Sequence, residues 1–419
     1  MMKKDVIIIG AGLSGLSAAI HLQNEGREVF IIESTDRVGG RIKTDMHEGF
    51  RLDRGFQVLL TAYPEARKIL DYEALNLQKM LPGANVIYDG GSFEVSDPFR
   101  QPLALFSTIF APVGSLKDKL NTFLLKKKLQ NQSIEQIFNQ PEITTLEKIK
   151  AYGFSSKMIN RFYAPFMAGI YLENDLKTSS RIFDFVMKMF SEGDAALPAL
   201  GMEEIPKQLA SKLPKDCFLF NQKVIDIIDN KVYTEDGKYF EASQILIATN
   251  ANDLSSKYFP QQKNEKQQVT NVYFEATKAP VKKAIVTLNA SENRKWVNNL
   301  TVLTNVSKAY APEGKVLISV SCNGLLNEND EVIAENMKKE LLPWYGEAVL
   351  HWKMLKTYRI SYALPNQDSV SDDIKVSEIK ISETLFISGD HLLNGSINAA
   401  LKTGRLAAET MKLSWENSL

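Results

Sequence analysis

The run Val6-Ile7-Ile8-Ile9-Gly10-Ala11-Gly12-Leu13-Ser14-Gly15 constrains this 419-residue chain more than any other stretch. Four consecutive apolar, mostly isoleucine positions make a short strand buried on both faces, as in parallel sheets. A helical pattern follows at Leu16, Ala19, Ile20 and Leu22 and stops near Gly26. A second apolar run, Val29-Phe30-Ile31-Ile32, ends on Glu33. The unit reads strand, turn, helix, strand, with an acid about 20 residues beyond the first glycine, which is the fingerprint of dinucleotide binding.

The glycines have separate roles. Gly10 permits the tight turn, Gly12 lets a pyrophosphate approach the backbone, and Gly15 lets the helix pack on the strand. Ala11, Leu13 and Ser14 complete the loop and the first helical turn. That helix N-terminus offers N–H groups and a positive dipole end to phosphates. Glu33 can accept both hydroxyls of an adenosine ribose. An ordinary glycine-rich turn in an α/β protein does not require such an acid.

Lysine plus arginine number 50 and aspartate plus glutamate number 50, a balance that argues against a nucleic-acid partner. Cys217 and Cys322 lie far apart with no CxxC, so the sequence predicts neither a metal site nor a disulfide framework. Both read as small buried hydrophobes of a protein in a reducing cytosol. The N-terminal apolar run is explained by the dinucleotide motif rather than by a signal peptide. The longest apolar segment, Leu103 to Val113, falls short of the ~18 residues a membrane span needs.

Helical patterns cover Ser115–Gln130 and Ser133–Phe138, among Pro98, Pro102, Pro112 and Pro141. Further on, Lys223–Ile228 and Lys231–Tyr233 flank a turn at Asp229-Asn230, with strands expected at Gln244–Ala248, Ala284–Leu288 and Val316–Ser321. Gln261 to Gln268 reads as a surface loop, and a helix from about Asp330 to Leu342 sets Val332, Ile333, Met337 and Leu341 on one face. Leu385-Phe386-Ile387-Ser388 then runs into Gly389-Asp390, and Gly395-Ser396-Ile397-Asn398 opens a helix over Ala399–Met411. An acid after a strand and a fresh helix N-terminus again suit phosphates and polyols. The expected fold class is α/β. A discontinuous Rossmann-type domain with a central parallel sheet takes 1–80, 196–270 and 376–419, and an α+β substrate domain takes 81–195 and 271–375.

Three features point to FAD rather than NAD. Arg37-Val38-Gly39-Gly40-Arg41 supplies a second glycine loop and two guanidinium groups soon after Glu33. The C-terminal strand, Gly-Asp pair and helix give a second anchoring surface. The single fingerprint stands before any substrate domain.

These residues resemble the flavin amine oxidase superfamily, which includes protoporphyrinogen oxidases and phytoene-type desaturases. The opening motif, Glu33 and Arg37–Arg41 carry the resemblance, with Leu52-Asp53-Arg54-Gly55-Phe56-Gln57 on the flavin side. It extends to Phe162–Tyr171, Ala196–Pro206, Tyr362-Ala363-Leu364-Pro365 and the ending Ser388-Gly389-Asp390 with Gly395–Ala400. The resemblance implies a two-domain enzyme with buried, non-covalent FAD. Glu33 would hold the adenosine ribose, Gly40 and Arg41 would line the pyrophosphate, and the Val224 backbone would pair with adenine. Asp390 would meet the ribityl–pyrophosphate region, and Ile397 would face the flavin pyrimidine ring.

Two departures favour the desaturase or protoporphyrinogen-oxidase branch over amine oxidases. Ser396 stands where amine oxidases of the superfamily place an aromatic residue, and neither Lys282 nor Lys283, read as lying on a strand, aligns with their flavin-side lysine. No catalytic residue is assigned; His391 reads chiefly as a loop residue, with proton carriage as the alternative. Leu103, Leu105, Phe106, Ile109 and Phe110 precede the lysines of an amphipathic helix within 100–130. That segment reads as a tunnel wall beside a solvated helix, with peripheral membrane contact as the second reading. The aromatics Phe162, Tyr163, Phe166, Tyr171, Phe183, Phe185 and Phe190 read mainly as core and secondarily as an apolar cavity lining. The expected activity is removal of a hydride from a C–C or C–N bond of a carotenoid-like or tetrapyrrole-like substrate, with oxygen or a quinone reoxidising the flavin. An amine substrate is the alternative, and a flavin-binding protein without turnover is the third reading.

Overall fold

In the computed structural model, which describes residues 4–96, 111–250, 253–259 and 265–416, the first strand Lys4–Ile9 lies inside a parallel sheet. Val6 and Ile8 point into the core shared with the helices, while Ile7 and Ile9 enter a second core on the opposite face. Both faces being dry, the strand has no polar alternation. It pairs with Val29–Ile32 on one side and Tyr239–Ile247 on the other, and Phe218–Leu219 and Leu385–Ile387 extend the sheet at its two ends, all parallel. The hairpin Val224–Ile228 and Lys231–Thr234 joins antiparallel, through a turn in which Asp229 and Asn230 take positive φ.

The second sheet has seven strands, two from Gly83–Ser96 and five between Lys266 and Pro365. The strand Lys266–Ala276 runs unbroken through the domain boundary expected at 270. One face turns toward the dinucleotide half. The other buries Val272, Phe274, Ile318 and Val320 under the helix Asp330–Tyr345, which contributes Ile333, Met337 and Leu341. Val332, expected on that face, is exposed, because it sits about 100° around the helix from Ile333. The helices Leu116–Gln130, Ala164–Tyr171 and Ser180–Glu192 bury residues in the main core. The architecture is mixed α/β, as expected.

Both cysteines are buried and free. No helix among the described residues is long and apolar enough to cross a membrane. Leu103, Leu105, Phe106, Ile109 and Phe110, and much of the polar stretch from Gln261, lie outside the described residues.

Candidate functional site

Four parallel strands end at one edge of the first sheet. They deliver Gly10, Glu33, Ala248 and Ser388-Gly389-Asp390 there, so acids from opposite ends of the chain lie at one edge of the sheet. Ligands of open α/β sheets bind outside this carboxyl edge.

Gly10 holds φ +107°, and a Cβ there would lie 2.9 Å from the Ala248 carbonyl oxygen. A Cβ on Gly15 would lie 2.1 Å from the Gly10 carbonyl oxygen, so the helix touches the turn. Above Gly12 there is open space, with no atom within 4 Å of where its Cβ would be. The helix Leu13–Asn24 starts there with no side-chain cap. Gly40 seats on this loop, its Cβ position 3.2 Å from the Gly12 Cα, and the Gly39 N–H donates to the Ala11 carbonyl at 2.9 Å. The two glycine loops form one backbone cradle.

Glu33 is buried and held. Its Oε2 accepts the Ala11 N–H at 2.8 Å, and its Oε1 accepts the Thr35 N–H and hydroxyl at 2.9 and 2.7 Å. Oε1 is therefore occupied by the protein, and Oε2 is the freer oxygen for a ribose hydroxyl. The Gln222 and Asn221 N–H groups donate to the Glu33 and Thr35 carbonyls, which brings Val224 beside the acid. Lys43, which sequence reasoning missed, is buried behind this group and donates to Thr35 Oγ1 at 2.6 Å. Burial lowers its ammonium pKa, with Glu33 opposing. No periodicity marks Lys43 in the sequence.

Arg37 is tied to carboxylates. Its Nε donates to Glu203 at 2.5 Å, and its Nη2 and Nη1 donate to Asp45 and Asp36 at 2.6 and 3.3 Å. A guanidinium held by three carboxylates braces the loop. Arg41 behaves differently. Its Nη2 donates to Asp390 Oδ1 at 2.5 Å, its Nη1 to the Ala363 carbonyl at 3.0 Å, and its head lies 5.3 Å from the Tyr362 ring centre. Burial works against its charge, but Asp390 more than compensates and raises its pKa.

The closing helix Ile397–Glu416 completes the crevice. Ser396 Oγ accepts the Ala399 N–H at 3.0 Å and pairs with Asn394 Oδ1 at 2.7 Å, so it caps the helix. Asn398 Oδ1 accepts the Glu65 N–H at 3.0 Å, leaving Ile397 in the first turn between them. A Cβ on Gly404 would lie 2.2 Å from the Ser14 carbonyl oxygen, and Thr403 Oγ1 meets Ser14 Oγ at 3.2 Å. The last helix thus packs directly on the first helix just after the glycine turn.

On the other wall, a Cβ on Gly55 would lie 2.8 Å from Ile360 of the second sheet. Phe56 packs against the main core, and Gln57 Nε2 donates to the Arg41 carbonyl at 3.2 Å while its buried Oε1 has no protein partner. Asp53, buried just before them, accepts from the Thr44 and Tyr310 hydroxyls and the Met202 N–H, and its carbonyl accepts from Tyr273. Lys282 and Lys283 are exposed in a bend before the strand Val286–Asn289, and Lys283 pairs with Glu94. Neither lies on a strand, which corrects the sequence reading.

A parallel sheet carrying two interlocked glycine loops, a buried acid and a chain-terminal helix at one edge defines a dinucleotide-binding enzyme fold built from both ends of the polypeptide. The chain belongs to the flavin containing amine oxidoreductase family, whose profile matches residues 13–412. It is 23% identical over 445 residues to polyamine oxidase 2 of Arabidopsis thaliana, covering 97% of this chain and 88% of that protein. It is 37% identical over 102 residues to phytoene desaturase of Fusarium fujikuroi, covering 23% of this chain and 18% of that protein. Among solved structures, a putative protoporphyrinogen oxidase from Exiguobacterium sp. 255-15 superposes with TM-score 0.73 at 15% identity, covering 99% of this chain and 100% of that one. A redesigned putrescine oxidase superposes with TM-score 0.74 at 16% identity, covering 98% and 99%. Membership of that family makes the protein a flavin-dependent oxidoreductase. The crevice fits that cofactor: the space over Gly12 admits a pyrophosphate, and Gln57 Oε1 is a buried acceptor that a ligand can satisfy.

Proposed function

We propose that this enzyme removes a hydride from a C–C or C–N bond of a large apolar substrate, in the manner of a desaturase or protoporphyrinogen-type oxidase. Ser396 carries this reading. Its hydroxyl caps the closing helix, at the position where an aromatic side chain would belong to an amine cage. The exposed placement of Lys282 and Lys283 supports the same preference. Phe162, Phe166 and Phe190 supply an apolar wall: the first two stack with centroids 5.4 Å apart, and Phe190 lies 5.4 Å from Phe166. Tyr163, Tyr171, Phe183 and Phe185 are core.

Bound FAD supplies the two-electron acceptor. In this reading Glu33 takes the ribose, the Gly12 and Gly40 loops take the pyrophosphate, and the Val224 backbone meets the adenine. Asp390, fixed by Arg41, meets the ribityl chain. The helix start at Ile397 places a positive dipole end where reduction brings negative charge. Oxygen or a quinone would serve as the final acceptor.

An amine substrate is the second reading, supported by the end-to-end similarity to a polyamine oxidase. Anaerobic mixing decides between them. The preferred reading expects the flavin absorbance to bleach with a polyene or a reduced tetrapyrrole and to persist with primary and secondary amines. The reverse pattern overturns it.

Membrane contact is also part of the proposal. Leucines lie on both sides of the helix Leu116–Gln130: Leu125 and Leu129 are buried, while Leu116, Leu120 and Leu124 are 73, 57 and 53% exposed. Lys117, Lys127 and Lys128 are exposed around that outward stripe. An apolar ridge among cations suits an anionic lipid surface.

A further inference from the structure

Two residues in the neighbourhood of Arg41 carry buried polar atoms without protein partners. One is Gln57 Oε1, whose amide nitrogen is held by the Arg41 carbonyl. The other is the His391 ring, in which neither Nδ1 nor Nε2 has a partner and both are shielded from water. Asp390 and Arg41 are the charged groups that act on that imidazole. The local backbone seats the ring: a Cβ on Gly389 would lie 2.2 Å from His391 Cε1 and 2.5 Å from Nδ1. Only a glycine leaves that space.

A neutral imidazole carries one N–H donor and one lone-pair acceptor. Burial lowers the His391 pKa to about 4, Asp390 opposing and Arg41 assisting, so the ring is neutral near pH 7. Leaving both functions buried and unmet is unfavourable, and native proteins rarely do so away from ligand sites. Aromatic packing would be served as well by phenylalanine, without that penalty.

We infer that His391 is a cofactor-positioning residue whose imidazole hydrogen-bonds a hydroxyl or phosphate oxygen of the ribityl–pyrophosphate segment of bound FAD. The inference rests on the placement of that segment at Arg41 and Asp390. The ligand class follows from the site: an atom beside this ion pair must be polar, and a neutral ring can both give and take a hydrogen bond there.

The test is titration of apo-protein with FAD, read by quenching of flavin fluorescence, for the wild type, His391→Leu and His391→Gln. Leucine is expected to weaken binding roughly tenfold, the scale of one lost hydrogen bond. Glutamine, which keeps a donor and an acceptor, is expected to recover most of it. Circular dichroism of each apo-protein confirms folding, and His391→Met replaces the leucine variant should the latter not fold. Binding by the apolar variant within twofold of wild type overturns the inference, as does equal weakening by leucine and glutamine. A wild-type chain that binds no FAD would instead sink the cofactor placement itself.

Discussion

Arg41 and Asp390 stand 349 residues apart in the chain and meet through one 2.5 Å hydrogen bond between guanidinium and carboxylate. That contact joins the second glycine loop to the strand end that precedes the closing helix. Asp390 is buried, whereas 31% of the Arg41 side chain is exposed. Asp390→Ala strands a guanidinium already bound to the Ala363 carbonyl. It should cost roughly 2–4 kcal/mol, somewhat less than a fully buried pair. The double substitution Arg41→Met with Asp390→Ala should cost less than the sum of the two singles. Urea unfolding of the four proteins measures the coupling.

Gly12→Val places a branched side chain in the open space over the loop. Purified wild type should be yellow and release FAD on heating; the variant should be colourless yet folded. A yellow variant with full flavin stoichiometry would mean that the pyrophosphate lies elsewhere.

Gly404→Ala sets a Cβ 2.2 Å from the Ser14 carbonyl oxygen, a clash that only a shift between the first and last helices relieves. The cost should be about 1–3 kcal/mol. Because Ser14 belongs to the phosphate-facing turn, FAD affinity should fall along with stability. Thermal unfolding of the apo-protein, set beside a flavin titration, tests both.

Asp53 and His391 give opposite pH dependences. Burial raises the Asp53 pKa from 3.8 to about 6 against its hydrogen bonds, so between those values the folded state holds more protons than the unfolded. Stability from this group falls as pH rises through that window, by roughly 3 kcal/mol in all. His391, lowered from 6.5 to about 4, resists a proton that the unfolded chain accepts, so its contribution is lost as pH falls through that range. The two contributions oppose each other where the windows overlap. Asp53→Asn should become more stable with rising pH there, and His391→Leu less stable. Denaturant midpoints taken in half-unit pH steps would expose two profiles parallel to wild type, the outcome that contradicts this account.

The lipid proposal predicts that the protein floats with anionic liposomes and that Leu120→Ser with Leu124→Ser abolishes flotation while leaving flavin content unchanged. Retention of the wild type in the soluble fraction would discard it.

Much of the nucleotide-binding half was legible in the chain because its signals are local. Val6–Ile9 is apolar at every position since both faces of its strand are dry, Gly10 answers its own positive φ, and Gly15 answers a contact with the Gly10 carbonyl five residues away. The Asp229-Asn230 turn and the Ser115 helix start are likewise short-range chemistry. What only the tertiary structure decided is where the charged side chains go. Arg37 and Arg41 lie four residues apart in one motif, yet one braces Glu203 and Asp45 while the other anchors Asp390. Nothing local distinguishes them, because Glu203 and Asp390 arrive from distant segments. The same holds for the buried Lys43, for Asp53 tied to Tyr310, and for the outward Leu116, Leu120 and Leu124. Backbone geometry is a property of neighbours in sequence, whereas charge pairing and solvent exposure are properties of neighbours in space.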